Sequence, residues 1–274
     1  MTAISRALSR ATQQLSSTSD TPRLDAELLM AAALGVGRDR LILGNPSGEA
    51  PAAFLYYVDR RLAGEPIAYI TGQRAFWTDD LEVGPGALVP RPDSETLIAA
   101  AVEHFAGKAG PRRILDLGTG PGTLLLAALD EWPMASGIGI DASEAALEYA
   151  RRNADRLGMT DRADFRIGNW AEGIDERFDL LLCNPPYVAD DAETGPGVSE
   201  YEPAEALFAG PEGLDDYRRL APVIGGLLQP GGIAAIEIGH DQADSVSTLF
   251  REQGLAPAVA LDLGNRPRAL LICI

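Results

Sequence analysis

The first third of the chain repeats apolar residues at helical spacing. Ile4, Ala7, Leu8, Ala11 and Leu15 share one helical face, and Leu24, Leu28, Leu29, Ala32 and Ala33 share another that begins after Pro22. Arg38–Leu43 reads as a short turn of the same kind. Ala52–Leu62 follows, with Phe54, Leu55, Val58 and Leu62 on one side. The pattern predicts a small bundle of short helices. It changes near Gly64. From Ile67 to Leu88, Gly72, Gly84 and Gly86 stand among Tyr69, Ile70, Phe76, Trp77, Leu81 and Val83, a mixture that predicts a hairpin or extended connector. Pro90 and Pro92 stiffen the chain ahead of a helix from about Ser94 to Phe105.

From Arg112 onward, apolar runs alternate with helical patterns. The strand candidates are Ile114–Leu117, Gly137–Ile140, Asp164–Ile167, Phe178–Cys183, Ile233–Ile238, Val259–Leu263 and Ala269–Ile274. Helical stretches at Thr123–Ala128, Ser143–Leu157, Leu214–Leu228 and Gln242–Gln253 lie between them. This alternation predicts an α/β, Rossmann-like fold, a seven-stranded and mostly parallel sheet covered on both faces. The expected division is a helical domain over 1–66, a hairpin connector over 67–89 and the sheet domain over 90–274.

Length allows that division, since 274 residues bury two cores comfortably. Charge narrows the partners. The formal net charge is -17, and Lys108 is the one lysine among 23 basic residues, the rest being arginines. Such a chain is repelled by bare phosphate backbones, so stable nucleic-acid binding is not expected, although a local arginine patch stays open. Cys183 and Cys273 are too few for a disulfide framework, and His104 and His240 sit in no ligand-like cluster, so reduced thiols and no metal are expected. Met1–Leu15 lacks the shape of a signal peptide, and no apolar run reaches the roughly 20 residues that span a bilayer. The expected location is cytoplasmic, away from membranes.

Two segments carry chemistry. Leu115-Asp116-Leu117-Gly118-Thr119-Gly120-Pro121-Gly122 follows the first strand of the sheet and opens a helix. Glycines let the backbone approach a ligand closely, and the helix start offers unpaired N–H groups. Asp141 ends the second strand, 23 residues beyond Gly118, where a carboxylate accepts from both hydroxyls of a ribose. Its alternative use, capping the next helix, suits Ser143 better. A nicotinamide dinucleotide fits these two features as well as S-adenosyl-L-methionine does. After the third strand, Trp170 reads equally as a core residue or as an aromatic wall for adenine.

The fourth strand ends in Asn184-Pro185-Pro186-Tyr187. Ligands of a doubly wound sheet bind beyond the carboxyl ends of its strands, so this segment belongs beside the Gly118 loop rather than to an ordinary turn. An amide or aromatic-amine NH2 is a poor nucleophile because its lone pair is conjugated. The Asn184 side-chain oxygen and the Pro185 carbonyl can accept its two N–H bonds. Tyr187 can stack on the planar group. That arrangement aims the nitrogen at the methyl group of a sulfonium and stabilises the charge that grows on it.

Read as a whole, the chain resembles the protein-(glutamine-N5) methyltransferases that modify class I peptide-chain release factors, the PrmC/HemK family. The likeness is carried by Tyr69-Ile70-Thr71-Gly72 with Phe76-Trp77, and by Leu88-Val89-Pro90-Arg91-Pro92-Asp93-Ser94-Glu95. Leu115–Gly120, Asn184–Tyr187, Tyr201-Glu202-Pro203 with Ala206-Leu207, Gly213-Leu214, and Glu237-Ile238-Gly239 with Gln242 extend it. The resemblance implies a class I methyltransferase fold with a helical N-terminal domain that docks the release factor. It implies S-adenosyl-L-methionine as cofactor, contacted by Gly118, Thr119, Gly120, Pro121, Gly122, Asp141, Trp170 and Asn184. It implies as substrate the glutamine of a Gly-Gly-Gln loop, bound by Asn184, Pro185, Pro186 and Tyr187. Asn184, Pro185 and Tyr187 are then the catalytic group. Arg91 and Glu95 read as pocket residues or, equally, as an ordinary acidic first turn of a helix. Ala75, Asn169 and the Gly264-Asn265-Arg266-Pro267-Arg268 segment depart from the family pattern. A DNA amino methyltransferase uses the same tetrapeptide, but it must grip phosphates and flip a base, which the charge disfavours. A methyltransferase acting on a ribosomal-protein glutamine is a nearer rival, and the intact tetrapeptide argues against a non-catalytic binder.

Overall fold

The computed structural model describes residues 2–44 and 47–274. Met1, Asn45 and Pro46, which fall in the expected helical domain, lie outside the described residues. The chain forms two compact units, one of residues 1–73 with 194–202 and the other of residues 74–193 with 203–274.

The first unit is helical. It contains α1 (Ala3–Leu15), α2 (Pro22–Leu34), α3 (Arg38–Gly44), α4 (Ala52–Leu62) and α5 (Ile67–Thr71). Ile4, Leu8, Ala11 and Leu15 of α1 meet Ala26, Leu29 and Met30 of α2 and Phe54 and Val58 of α4 in one core. The chain starts α1 with a Thr2 hydroxyl cap on the Ser5 N–H and ends α2 at Gly35 in the left-handed conformation. Helix α5 differs from the extended connector expected there. Pro66 precedes it, and Gly72 at φ 76° ends it, so five residues close a single helical turn that is too short to show periodicity. The segment 194–202 was not expected in this unit. Gly197 makes its close approach possible, because a Cβ there would lie 1.9 Å from the Gly64 carbonyl oxygen.

The second unit opens with the expected hairpin, β1 (Gln73–Phe76) paired with β2 (Asp79–Glu82). A 3-10 turn at Pro92–Ser94 leads into α6 (Glu95–Phe105). Then follow β3 (Arg113–Leu117), α7 (Thr123–Glu131), β4 (Ser136–Asp141), α8 (Glu144–Arg156), β5 (Ala163–Ile167) and β6 (Phe178–Cys183). After the short α9 (Val198–Tyr201), which belongs to the first unit, come α10 (Asp215–Leu227), β7 (Leu228–Glu237), α11 (Ala243–Glu252), β8 (Ala258–Leu261) and β9 (Pro267–Cys273). The seven-stranded sheet runs in the order β5-β4-β3-β6-β7-β9-β8. Its first five strands pair in parallel, and β9 runs antiparallel to both β7 and β8.

The expected sheet is therefore present, with β7 beginning five residues earlier than its apolar run because Leu228 pairs with Phe178. Two cores cover its faces. One gathers Leu97, Ile98, Leu125, Leu129 and Leu147 from the helices, and the other Tyr217, Leu220, Ile224, Val246 and Phe250. The central strands β3 and β6 are buried almost throughout, which explains their continuous apolar runs. The strand order reverses at β3, with β4 on one side and β6 on the other. A crevice for a ligand opens at the carboxyl ends of strands flanking such a reversal.

Candidate active site

Sheet register brings the two chemical segments together. Leu117 of β3 pairs with Cys183 of β6 and with Ile140 of β4, so the loop starting at Gly118, the tetrapeptide starting at Asn184 and Asp141 all leave the sheet at one level. The Gly118 and Thr119 N–H groups both donate to the Ile140 carbonyl, at 2.9 and 3.0 Å. These segments line one cavity of about 470 Å³, a volume suited to a cofactor-sized ligand.

The loop needs its first glycine. Gly118 stands at φ 71°, and a Cβ there would lie 3.3 Å from the Trp170 ring. Gly120 also has positive φ and lines the cavity. Gly122 does not line it. Gly122 caps α7 at φ 85°, where a Cβ would press on Leu126, so its role is in the helix start. Asp141 faces the cavity, and its carboxylate accepts from the Gly120 N–H and the Ser143 N–H, each at 2.8 Å. Burial raises its pKa, and these backbone bonds oppose the rise. Ser143, not Asp141, caps α8 by accepting from the Ala146 N–H.

Trp170 lines the cavity at φ 51°, a conformation uncommon for a large side chain. Its indole N–H donates to Asp216 at 3.0 Å, and Asp216 also pairs with Arg219. Arg219 reaches on to the Asn169 side-chain oxygen. The asparagine at 169 thus accepts from an arginine there.

Below the loop, Asp116 is fully buried on β3. It accepts from the Thr119 hydroxyl at 2.6 Å and the Leu125 N–H at 3.1 Å, while its Oδ1 has no partner. Burial pushes its pKa up to about 7.

Asn184 and Pro186 line the cavity, as does Arg91. Pro185 is buried. Tyr187 is half-buried. Its hydroxyl points inward and donates to Glu237 Oε1 at 3.1 Å, and its backbone carbonyl accepts from Gln242 Nε2 at 3.0 Å. Glu95 lies off the cavity and accepts from the Trp77 N–H, which serves the hairpin, where Trp77 stands at φ 54°. Ser94, one residue earlier, does line the cavity and meets Asn184 Nδ2 at 3.3 Å. Glu237, fully buried at the end of β7, has its pKa pushed up to about 7 by burial, with Ser94, Arg268 and Tyr187 opposing. Asp116, Ser94, Glu237, Asp216 and Gln242 were not singled out by sequence reasoning as site residues. Asp116 and Glu237 did carry a signal, a lone carboxylate inside an otherwise apolar strand. Both cysteines are free, and among the described residues no group of three or more His, Cys, Asp or Glu is placed to hold a metal ion.

The reversed sheet order, the glycine loop, Asp141 and the tetrapeptide define a Rossmann-like methyltransferase. Comparison with known proteins agrees. Residues 6–72 match the PrmC N-terminal domain and residues 111–247 a methyltransferase domain. The chain is 42% identical to the release factor glutamine methyltransferase of Rhodospirillum rubrum, over 92% of this chain and 79% of that protein. It is 39% identical to the one of Mycolicibacterium smegmatis, over 98% of this chain and 96% of that protein. A ribosomal protein L11 methylase from Lactobacillus delbrueckii subsp. bulgaricus shares the fold at 19% identity, with a TM-score of 0.51 over 70% of this chain and 83% of that one. The chain belongs to the release factor glutamine methyltransferase family, and it is an enzyme of methyl transfer. No helix among the described residues is long and apolar enough to cross a membrane.

Proposed function

We propose that the protein transfers a methyl group from S-adenosyl-L-methionine to the side-chain amide nitrogen, N5, of the glutamine in the Gly-Gly-Gln loop of class I peptide-chain release factors. The observation that supports this reading most is the meeting of Asn184 and Pro186, on either side of the buried Pro185, with the Gly118 loop at one cavity. The names of the relatives, which match most of this chain, point to the release factor as substrate.

The residues present fit the cofactor. Gly118 and Gly120 offer backbone without Cβ atoms, Asp141 offers carboxylate oxygens to ribose hydroxyls, and Trp170 offers an aromatic surface at the cavity wall. When bound, S-adenosyl-L-methionine supplies a methyl group on a positively charged sulfur and leaves as a neutral thioether.

The chain's own residues do the rest. Asn184 Oδ1 and the Pro185 carbonyl accept the two N–H bonds of the glutamine amide and hold the nitrogen for in-line attack. Both oxygens stabilise the positive charge that develops as the N–C bond forms. The surplus proton on nitrogen then leaves to water, so no strong protein base is required. Tyr187 can stack on the planar amide while its hydroxyl is held by Glu237. Glu95 belongs to the hairpin support and Arg91 to the cavity wall.

Competition among acceptors tests the reading. The protein is incubated with labelled S-adenosyl-L-methionine and, separately, a class I release factor, ribosomal protein and duplex DNA. Label is expected in the release factor. Label in DNA or ribosomal protein but not in release factor overturns the substrate assignment.

A further inference from the structure

We infer that Asp216 is a positioning residue that holds the Trp170 indole in place as a preformed wall of the cavity. The inference rests on the functional reading above, in which the flat base of S-adenosyl-L-methionine lies against that wall.

The reasoning begins with a backbone outlier. Trp170 stands at φ 51°, in the left-handed region that a bulky side chain rarely adopts. A conformation of that kind persists only where the surroundings over-determine it. The contacts of the ring do so here. It packs on the core around Tyr217 and Leu220. Gly118 leaves it room, since a Cβ there would lie 3.3 Å from the ring. The indole N–H donates to Asp216 Oδ1 at 3.0 Å.

The direction of these bonds needs no assumption about protonation. An indole N–H and a guanidinium are donors only. Trp170 Nε1 and Arg219 Nη1 both reach Asp216 Oδ1, the second at 3.1 Å. Arg219 Nη2 donates to Asn169 Oδ1 at 2.5 Å, and Asn169 Nδ2 donates to Glu172 Oε1 at 2.6 Å. One arginine therefore ties the acceptor of the indole to the residue just before the strained one. Asp216 is held from its own side as well. It lies in the first turn of α10, where the helix dipole favours negative charge, and Arg219 follows one turn later on the same helix. The Asp216 side chain is 14% exposed, so water competes little for its oxygen.

This geometry gives the indole a use that packing alone does not. Asn169, Trp170, Asp216 and Arg219 all line the cavity, so the ring is at once part of a core and a face of the site. A tryptophan without a partner for its N–H gives up rotamer freedom when a ligand arrives. One that is already pinned has given it up on folding, and the ligand binds more tightly as a result.

Two readouts test this. The first needs no ligand. In nuclear magnetic resonance of the full chain, the Trp170 indole N–H, assigned through its loss in Trp170→Phe, is expected to exchange slowly with water. Exchange is expected to speed up in Asp216→Ala and to stay slow in Asp216→Asn, whose carbonyl oxygen replaces the one oxygen that both donors use. The second readout is S-adenosyl-L-methionine affinity by calorimetric titration. Asp216→Ala is expected to weaken it about 3- to 10-fold, the cost of immobilising one side chain on binding, and Asp216→Asn to stay within about twofold of wild type. In a Trp170→Phe background, Asp216→Ala is expected to add less than about twofold, because the two residues act as one. A fast-exchanging Trp170 indole N–H in the wild type, wild-type affinity in Asp216→Ala, an Asp216→Asn variant as impaired as Asp216→Ala, or a full loss that persists in the Trp170→Phe background overturns the inference. If the wild type binds no S-adenosyl-L-methionine, the functional reading falls, and the indole exchange decides the positioning alone.

Discussion

At the scale of single residues, the proposed function puts the chemistry at Asn184, and two buried carboxylates, Asp116 and Glu237, carry a pH dependence. On that reading, Asn184→Ala removes an acceptor needed when charge grows on the amide nitrogen. Loss of one such transition-state bond costs on the order of 100- to 1,000-fold in kcat. The variant is expected to keep S-adenosyl-L-methionine affinity within a few fold, as read by calorimetric titration, and equal loss in affinity and turnover would place Asn184 in cofactor binding instead. Asp116 and Glu237 have a different cost. Both are buried, and burial lifts their pKa values from 3.8 and 4.5 to about 7. The folded protein therefore binds these protons more tightly than the unfolded chain does, and stability falls with rising pH. Stability from these two groups is fully present below about pH 4 and is lost as pH climbs through about 7. Each contributes a drop on the order of 3 kcal/mol. Thermal unfolding at pH 5 and pH 8 checks this, and Glu237→Gln is expected to show the smaller fall. An equal fall in variant and wild type would mean that Glu237 ionises freely in the fold.

At the scale of elements, one asparagine joins three of them. Asn153 on α8 is fully buried, accepts from the Glu82 N–H at 2.7 Å, and donates to the carbonyls of Glu82 and Pro121, both at 2.9 Å. It ties the hairpin to α8 and both to the glycine loop. Asn153→Ala leaves those buried groups unpaired and is expected to destabilise the protein by about 3 kcal/mol in urea unfolding. Weaker S-adenosyl-L-methionine binding is expected with it, because Pro121 is in the cavity wall. A loss under about 0.5 kcal/mol, the range of an ordinary surface change, would contradict that role. The strands and long helices were legible in the sequence because their apolar runs and periodicity report burial directly. Asn153 was not, since a polar residue on a helix face reads as solvent-exposed until the hairpin packs on it. Helix α5 was hidden for another reason, five residues between Pro66 and Gly72 being too few to show a period.

At the scale of the whole molecule, the candidate site was half legible. Gly118, Gly120, Asp141 and Asn184 each announced themselves through local spacing, and the sheet brings them to one cavity. Tyr187, Gly122 and Glu95 carried the same kind of local signal, and their structural contacts are to Glu237, the start of α7 and the Trp77 N–H. What local spacing cannot convey is which distant residues become neighbours. Ser94 meets Asn184 across 90 positions, and Tyr187 meets Glu237 across 50. Only the strand order and register decide those pairs. The net charge of -17 belongs to this scale as well, and on the proposed function it disfavours phosphate backbones as acceptors.

The most direct test is the position of the methyl group. A class I release factor is incubated with the protein and S-adenosyl-L-methionine, then digested, and the peptide spanning its Gly-Gly-Gln loop is sequenced by mass spectrometry. One methyl group on the glutamine side chain is the predicted result, absent when that glutamine is replaced and formed far more slowly with Asn184→Ala. A methyl group on any other residue, or one that persists when the glutamine is replaced, contradicts the account.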